Sequence, residues 1–225
     1  MNPYNSYLHL VDDVAATAFQ CSRRPEEITI VAISKGCSLK DLLLVHEAGC
    51  RYFGESRVQE ALRKIALAPS DILWHLIGSL QLNKVSRSVE NFHTIESIDS
   101  LRLAEKVSAC ALALETRISV FLQVKPSTEP LRKGFSEEGL LASWDQLIAL
   151  PGISLDGLMI IAPLTNNQAE NAKCFRQLNN LQQKLQQIAQ AKVVPFLSMG
   201  MSHDYQIAIA EGATHLRIGR AIFGY

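Results

Sequence analysis

Ile28-Thr29-Ile30-Val31-Ala32-Ile33-Ser34-Lys35 is a β-branched, apolar run that stops on a lysine, with Gly36-Cys37-Ser38 directly behind it. A half-exposed strand alternates apolar and polar residues, whereas a strand buried on both faces is apolar throughout, as this one is. Such strands build parallel sheets, and parallel sheets gather their chemistry at the carboxyl ends of the strands. Lys35 stands at that end. An ammonium there either snorkels to water or is held against a ligand, and one ligand chemistry open to lysine is an imine with a carbonyl compound.

Upstream of this run, Tyr7, Leu10, Val11, Val14, Ala15 and Ala18 recur at steps of three and four, which predicts an amphipathic helix ended by Arg23-Arg24-Pro25. Downstream, Ser38-Leu39-Lys40-Asp41 opens a helix through Leu44, Val45 and Ala48 that Gly49 closes. The strand–helix unit then recurs, with further strands expected at 51–55, 72–78, 92–96, 117–124, 153–161, 193–199 and 214–218. Between them lie a helix near Gln81–Glu90 and helices striped by Val58, Leu62 and Ile65, by Leu101, Ala104, Val107 and Leu114, and by Leu140, Trp144, Leu147 and Ile148. A long helix opened by Thr165-x-x-Gln168 carries Phe175, Leu178, Leu181, Leu185 and Ile188, with a glutamine-rich opposite face that reads as solvated. Eight alternations in about 200 residues predict an α/β protein, a (β/α)8 TIM-like barrel with an extra N-terminal helix, as a single domain over 1–225. A doubly wound open sheet is the alternative, because strand order is not written in the sequence.

Lys plus Arg and Asp plus Glu each number 22, so the net charge is zero. With no basic tract, the electrostatic footprint of a nucleic-acid binder is missing. No apolar stretch reaches the roughly 20 residues of a membrane span. Met1-Asn2-Pro3-Tyr4 lacks the basic and apolar regions of a signal peptide. Five scattered cysteines without a Cys-x-x-Cys fit reduced thiols and a cytoplasmic location. No His, Asp and Glu spacing suggests a metal, and the phosphate-loop, dinucleotide, metalloprotease and nucleophile-elbow motifs are absent. Glu55, Glu60 and Glu96 fall on different elements, which gives no support for a glycosidase-type pair. His75, deep in an apolar strand, reads as a satisfied core histidine.

A barrel of this kind often binds phosphate on the loops after strands seven and eight. Here those loops are Ser198-Met199-Gly200-Met201-Ser202 and Gly219-Arg220-Ala221. Arg217 alternates outward from Leu216 and Ile218 beside the second loop, either as a structural ion-pair partner or as a ligand contact. A lysine on strand one with an anion cradle at strands seven and eight implies a ligand carrying a carbonyl at one end and a phosphate at the other. Pyridoxal 5'-phosphate fits, and so do the sugar phosphates of Schiff-base aldolases. An arginine facing a pyridine nitrogen would keep it unprotonated and weaken the ring as an electron sink.

Five ordered motifs carry a resemblance. They are Val31-Ala32-Ile33-Ser34-Lys35; Phe53-Gly54-Glu55-Ser56-Arg57-Val58-Gln59-Glu60; Trp74-His75-Leu76-Ile77-Gly78-Ser79-Leu80-Gln81-x-Asn83-Lys84; Ser198-Met199-Gly200-Met201-Ser202; and Arg217-Ile218-Gly219-x-Ala221-Ile222-Phe223-Gly224. Together they resemble the pyridoxal phosphate homeostasis proteins, single-domain relatives of the alanine racemase barrel. The resemblance implies a pyridoxal phosphate imine on Lys35, the phosphate on Ser198, Met199, Gly200, Met201 and Gly219, and Arg217 facing the ring nitrogen, with Ser56, His75 and Arg220 completing the candidate contacts. It implies a monomer that buffers or delivers the cofactor, transiently to pyridoxal-dependent apoenzymes, and influences amino- and keto-acid balance without turnover. A pyridoxal-dependent racemase or lyase is the alternative; it needs a second acid or base, which racemases take from a tyrosine of an additional β-domain, and a chain ending at Tyr225 has no room for that domain. Three departures from the family pattern stand out: Ser56-Arg57 where Asn-Tyr is usual, Ser79 where histidine is common, and Arg220 where threonine often stands.

Overall fold

The computed structural model describes residues 2–165, 167–189 and 193–225. Its strands are β1 (Thr29–Ile33), β2 (Tyr52–Glu55), β3 (Leu73–Leu76), β4 (Thr94–Ile98), β5 (Ile118–Val124), β6 (Ile153–Ile160), β7 (Phe196–Ser198) and β8 (His215–Ile218). Among the described residues the helices are α1 (Pro3–Gln20), α2 (Leu39–Glu47), α3 (Val58–Ile65), α4 (Val85–Asn91), α5 (Leu101–Ala113), α6 (Glu137–Ala142), α7 (Trp144–Ile148), α8 (Gln168–Ala189), α9 (Tyr205–Ala210) and α10 (Arg220–Phe223). Each strand pairs in parallel with the next, and β8 returns to β1 through Thr29–His215, Ile30–Leu216, Val31–Arg217 and Ala32–Ile218. The sheet is therefore a closed (β/α)8 barrel, and the open-sheet alternative falls.

Alternation along each strand sorts side chains between the helical shell and the barrel centre. Ile30, Ala32, Phe53, Trp74 and Leu76 join Tyr7, Leu10, Leu42 and Val45 in one continuous apolar layer between sheet and helices. Val31, Phe121 and Met159 are equally buried but stand apart from that layer, inside the barrel. Gly54 makes room there, since a Cβ on it would meet the Ile33 side chain at 2.5 Å and Val31 at 3.2 Å. The extra helix α1 packs on α2, α9 and α10, covering the seam where β8 meets β1. Arg23 fastens that seam by donating to the carbonyls of Ile209 (3.0 Å) and Ala213 (2.7 Å).

Several helix expectations shift at their ends. Ile188, counted in the α8 core stripe, is 52% exposed, and Leu114 and Ile148 also lie outside the core. The α8 start is held by the Asn167 side chain, which accepts from the amides of Ala169 and Glu170, rather than by Thr165. The glutamine face is not wholly solvated: Gln182 and Gln186 turn in to the carbonyls of Val194 and Val193. The single helix expected over Leu140 to Ile148 breaks into α6 and α7 at Ser143.

Candidate functional site

At the carboxyl ends of the strands lies a cavity of about 460 Å³, and Lys35, Ser56, Arg217, Gly219 and Arg220 all line it. The lysine side is fixed from behind. Ser34 is fully buried; its hydroxyl donates to Glu55 Oε1 at 2.7 Å, and Lys64 Nζ donates to the same oxygen at 2.6 Å and to the Ser34 carbonyl. Gly36, at φ +74°, then turns the chain away from the mouth. Lys35 is left with an amine that meets no acceptor among the described residues.

The opposite rim is made of two stitched loops. Gly200 has φ +90°, Met201 donates its amide to Asp204 Oδ1 at 2.6 Å, and the Ser202 hydroxyl accepts from the Ala221 amide at 3.2 Å. The amides of Ser202, Gly219 and Arg220 donate to no acceptor among the described residues. Unsatisfied amides on one rim form a cradle for an anion. Tyr225 closes the side between this rim and β1: its hydroxyl donates to the Ile33 carbonyl at 2.5 Å and would stand 3.0 Å from a Cβ on Gly219. Burial, reinforced by the neighbouring Cys37, pushes the Tyr225 phenol upward.

Arg217 forms the floor. Leu216 and Ile218 face the helical shell, while Arg217 points into the barrel and is 5% exposed. Its Nη1 donates to Ser198 Oγ at 2.6 Å and its Nη2 to the Ile160 carbonyl at 2.8 Å. Guanidinium has five donors and no acceptor, so part of its donor capacity remains for the cavity. Burial lowers its proton affinity against the opposing pull of Glu96 and Asp204. At neutral pH it is nonetheless a cation.

Ser198, Met199, Gly200 and His75 do not line the cavity. Ser198 is one layer down, beneath Arg217, and Met199 belongs to the shell core. From the seventh-strand loop it is Met201 and Ser202 that reach the mouth. His75 is 2% exposed; its Nδ1 meets Glu96 Oε1 at 2.6 Å, and its Nε2 has no partner among the described residues. It is thus a half-satisfied core histidine. Arg57 projects to solvent and pairs with Glu60 at 2.7 Å, away from the cavity.

Sequence reasoning passed over Glu55 with Lys64, Glu96, Gly78 and Tyr225. Gly78 had a readable signal, because it closes an apolar strand; a Cβ there would lie 2.1 Å from the Ser56 carbonyl oxygen. A second cavity of about 600 Å³ lies between the β5–α6 loop and α8, but its lysines are already engaged, Lys125 by the Pro130 carbonyl and Lys184 by Glu137. Among the described residues no group of three or more His, Cys, Asp or Glu is placed to hold a metal ion, and no helix is long and apolar enough to cross a membrane.

Fold and site together define a class: parallel (β/α)8 barrels with a lysine at the end of the first strand, facing a rim of open amides. Within that class the chain belongs to the pyridoxal phosphate homeostasis proteins, and the model of the family "Alanine racemase, N-terminal domain" matches residues 22–225. It is 35% identical over 222 residues to the pyridoxal phosphate homeostasis protein of Schizosaccharomyces pombe, covering 97% of this chain and 93% of that one. The Synechocystis protein of the same name is 40% identical over 202 residues, with coverage of 89% and 92%. PipY of Synechococcus elongatus superposes with a TM-score of 0.85 without PLP, at 39% identity, and 0.83 with PLP bound, at 38%, in both cases over 94% of this chain and all of PipY.

Proposed function

We propose that this chain binds pyridoxal 5'-phosphate in the β1–β8 cavity and acts in intracellular homeostasis of that cofactor and in amino- and keto-acid balance, without catalytic turnover. The observation that carries the reading is the placement of a free lysine amine, a buried arginine with spare donors and a rim of open amides on one cavity. Those groups fit the cofactor: an amine for its aldehyde, a pure donor for its ring nitrogen, amides and Arg220 for its phosphate. Lys35 would hold the cofactor by condensing its amine with the aldehyde, with the carbonyl oxygen released as water. Arg217 cannot accept a proton, so a ring nitrogen facing it stays unprotonated and withdraws electrons weakly.

Turnover as a racemase or lyase needs a second group poised to accept a proton. Tyr225 borders the cavity, but its hydroxyl is committed to the Ile33 carbonyl and its proton is held tightly. The single barrel domain, a cytoplasmic setting, a monomeric state and transient hand-over to apoenzymes complete the proposal. Equilibrium dialysis with pyridoxal 5'-phosphate tests it. Wild type should retain the cofactor and develop a visible band, with no racemisation, transamination or deamination of amino acids; a colourless protein or steady turnover would contradict it.

A further inference from the structure

Beneath the cavity four side chains from four strands form one hydrogen-bonded file. Arg217 on β8 donates to Ser198 on β7 at 2.6 Å, Ser198 donates to Glu96 Oε2 on β4 at 2.5 Å, and Glu96 Oε1 meets His75 Nδ1 on β3 at 2.6 Å. All four are buried, Glu96 and Ser198 completely. The direction of the file is fixed by what each group can do. Arginine only donates, so Ser198 Oγ accepts from it and must send its one hydrogen to Glu96. His75 Nδ1 then carries the hydrogen it shares with Glu96, a tautomer assigned from the network. Glu96 is the sink for both ends.

Burial alone would push the Glu96 carboxyl up, but the hydrogen bond with His75, followed by the influence of Arg217 and Ser198, holds it at about 2. At neutral pH it is therefore an anion. A buried guanidinium without a counter-ion is costly. The other carboxylate that Arg217 feels is Asp204, which is engaged by the Met201 amide.

We infer that Glu96 is the counter-ion and positioning residue of Arg217, acting through the Ser198 hydroxyl, and that it fixes both the direction and the strength of the positive field that Arg217 presents to the cavity. The inference rests on the reading that the cavity takes a pyridine ring beside Arg217. Without the Glu96 charge the guanidinium is uncompensated, and every other positive charge in the cavity, including a protonated nitrogen on Lys35, is disfavoured. The titratable groups around this file are Tyr52 and His93, which pack on His75 at ring distances of 5.8 and 6.2 Å, together with His215, Asp156 and Asp204.

The test follows the visible band of protein loaded with pyridoxal 5'-phosphate from about pH 6 to about pH 10, the range in which such nitrogens exchange protons. Glu96→Gln should lower the midpoint by about one pH unit, a tenfold change in proton affinity, and Glu96→Asp should recover at least half of that shift. An unchanged midpoint in Glu96→Gln, or an equal shift in Glu96→Asp, would overturn the inference. A second measurement needs no ligand. Nitrogen-15 spectra of the cofactor-free protein should resolve separate Nη signals for Arg217, identified by their loss in Arg217→Lys, and Ser198→Ala should average them. Averaged signals in wild type would overturn the inference. If wild type shows no visible band, the cofactor reading falls, and the same spectra of cofactor-free Glu96→Gln decide the role of Glu96: averaged Arg217 signals support it, and signals as separate as in wild type overturn it.

Discussion

Lys64 Nζ lies 2.6 Å from Glu55 Oε1 in a pair whose carboxylate is fully buried, and the same ammonium reaches the carbonyl of Ser34, the residue before Lys35. Two elements, β2 and α3, thereby clamp the peptide that presents the amine. Glu55 Oε2 has no partner among the described residues, so the pair is already one bond short.

Lys64→Met removes the only cation bonded to Glu55 among the described residues and leaves a buried charge uncompensated. The expected loss is about 3–5 kcal/mol of unfolding free energy, read from urea denaturation. Glu55→Gln combined with Lys64→Met should recover part of it. Equal stability of the single and double variants would show that the charge is not what matters.

Gly78→Ala is expected to damage the cavity more than a methyl group ordinarily would. Its Cβ would fall 2.1 Å from the Ser56 carbonyl oxygen and 2.8 Å from the Ser56 Cα, both backbone atoms of the neighbouring loop. The β2–α3 loop must move, and Ser56 with it. The measurement is cofactor affinity by dialysis: at least a tenfold loss, about 1.4 kcal/mol, is expected. Wild-type affinity would mean that Ser56 does not shape the site.

Acid should destabilise the fold in two separate steps. Burial, opposed only in part by Glu96, pushes His215 down to about 4 from an ordinary value near 6.5. Between those values the unfolded chain binds the proton and the folded chain does not, so stability falls as pH drops through that window, by about 3 kcal/mol at most. Glu96, held at about 2, adds a loss that begins below its ordinary carboxylate value. His215 packs edge-on against Phe121 and Phe196, at ring distances of 5.2 and 5.1 Å, so His215→Phe should flatten the first step and leave the second. Thermal melts across the acid range test this; an undiminished first step in His215→Phe would contradict it.

What was legible in the sequence was local. Ile30 to Ile33 announce a strand because every residue is apolar, and Ser38, which does accept from the Asp41 amide, announces a helix start. Lys35 and the Gly219 loop were found because strand ends and turns carry their own chemistry. What could not be read depends on closure. Glu96 and Ser198 are 102 residues apart and meet only because β4 and β7 face each other across the barrel. For the same reason three carboxylates on different elements looked unrelated, although two of them, Glu55 and Glu96, are fully buried and each found a partner. Alternation sets Arg217 opposite Leu216 and Ile218 without saying which face is inside, and closure of the barrel puts Arg217 there. The seventh-strand loop was read one layer too deep, since Ser198 ends β7 and only Met201 and Ser202 reach the mouth.

The central claim is that the Lys35 nitrogen and the Gly219–Arg220 rim hold the two ends of one small aromatic aldehyde. Borohydride reduction of the loaded protein, followed by peptide mapping by mass, tests it most directly. The account expects one added pyridoxyl group on the peptide containing Lys35, and none in Lys35→Ala although that variant remains folded. A pyridoxyl group on another lysine, or an unmodified protein after reduction of a coloured sample, would contradict it.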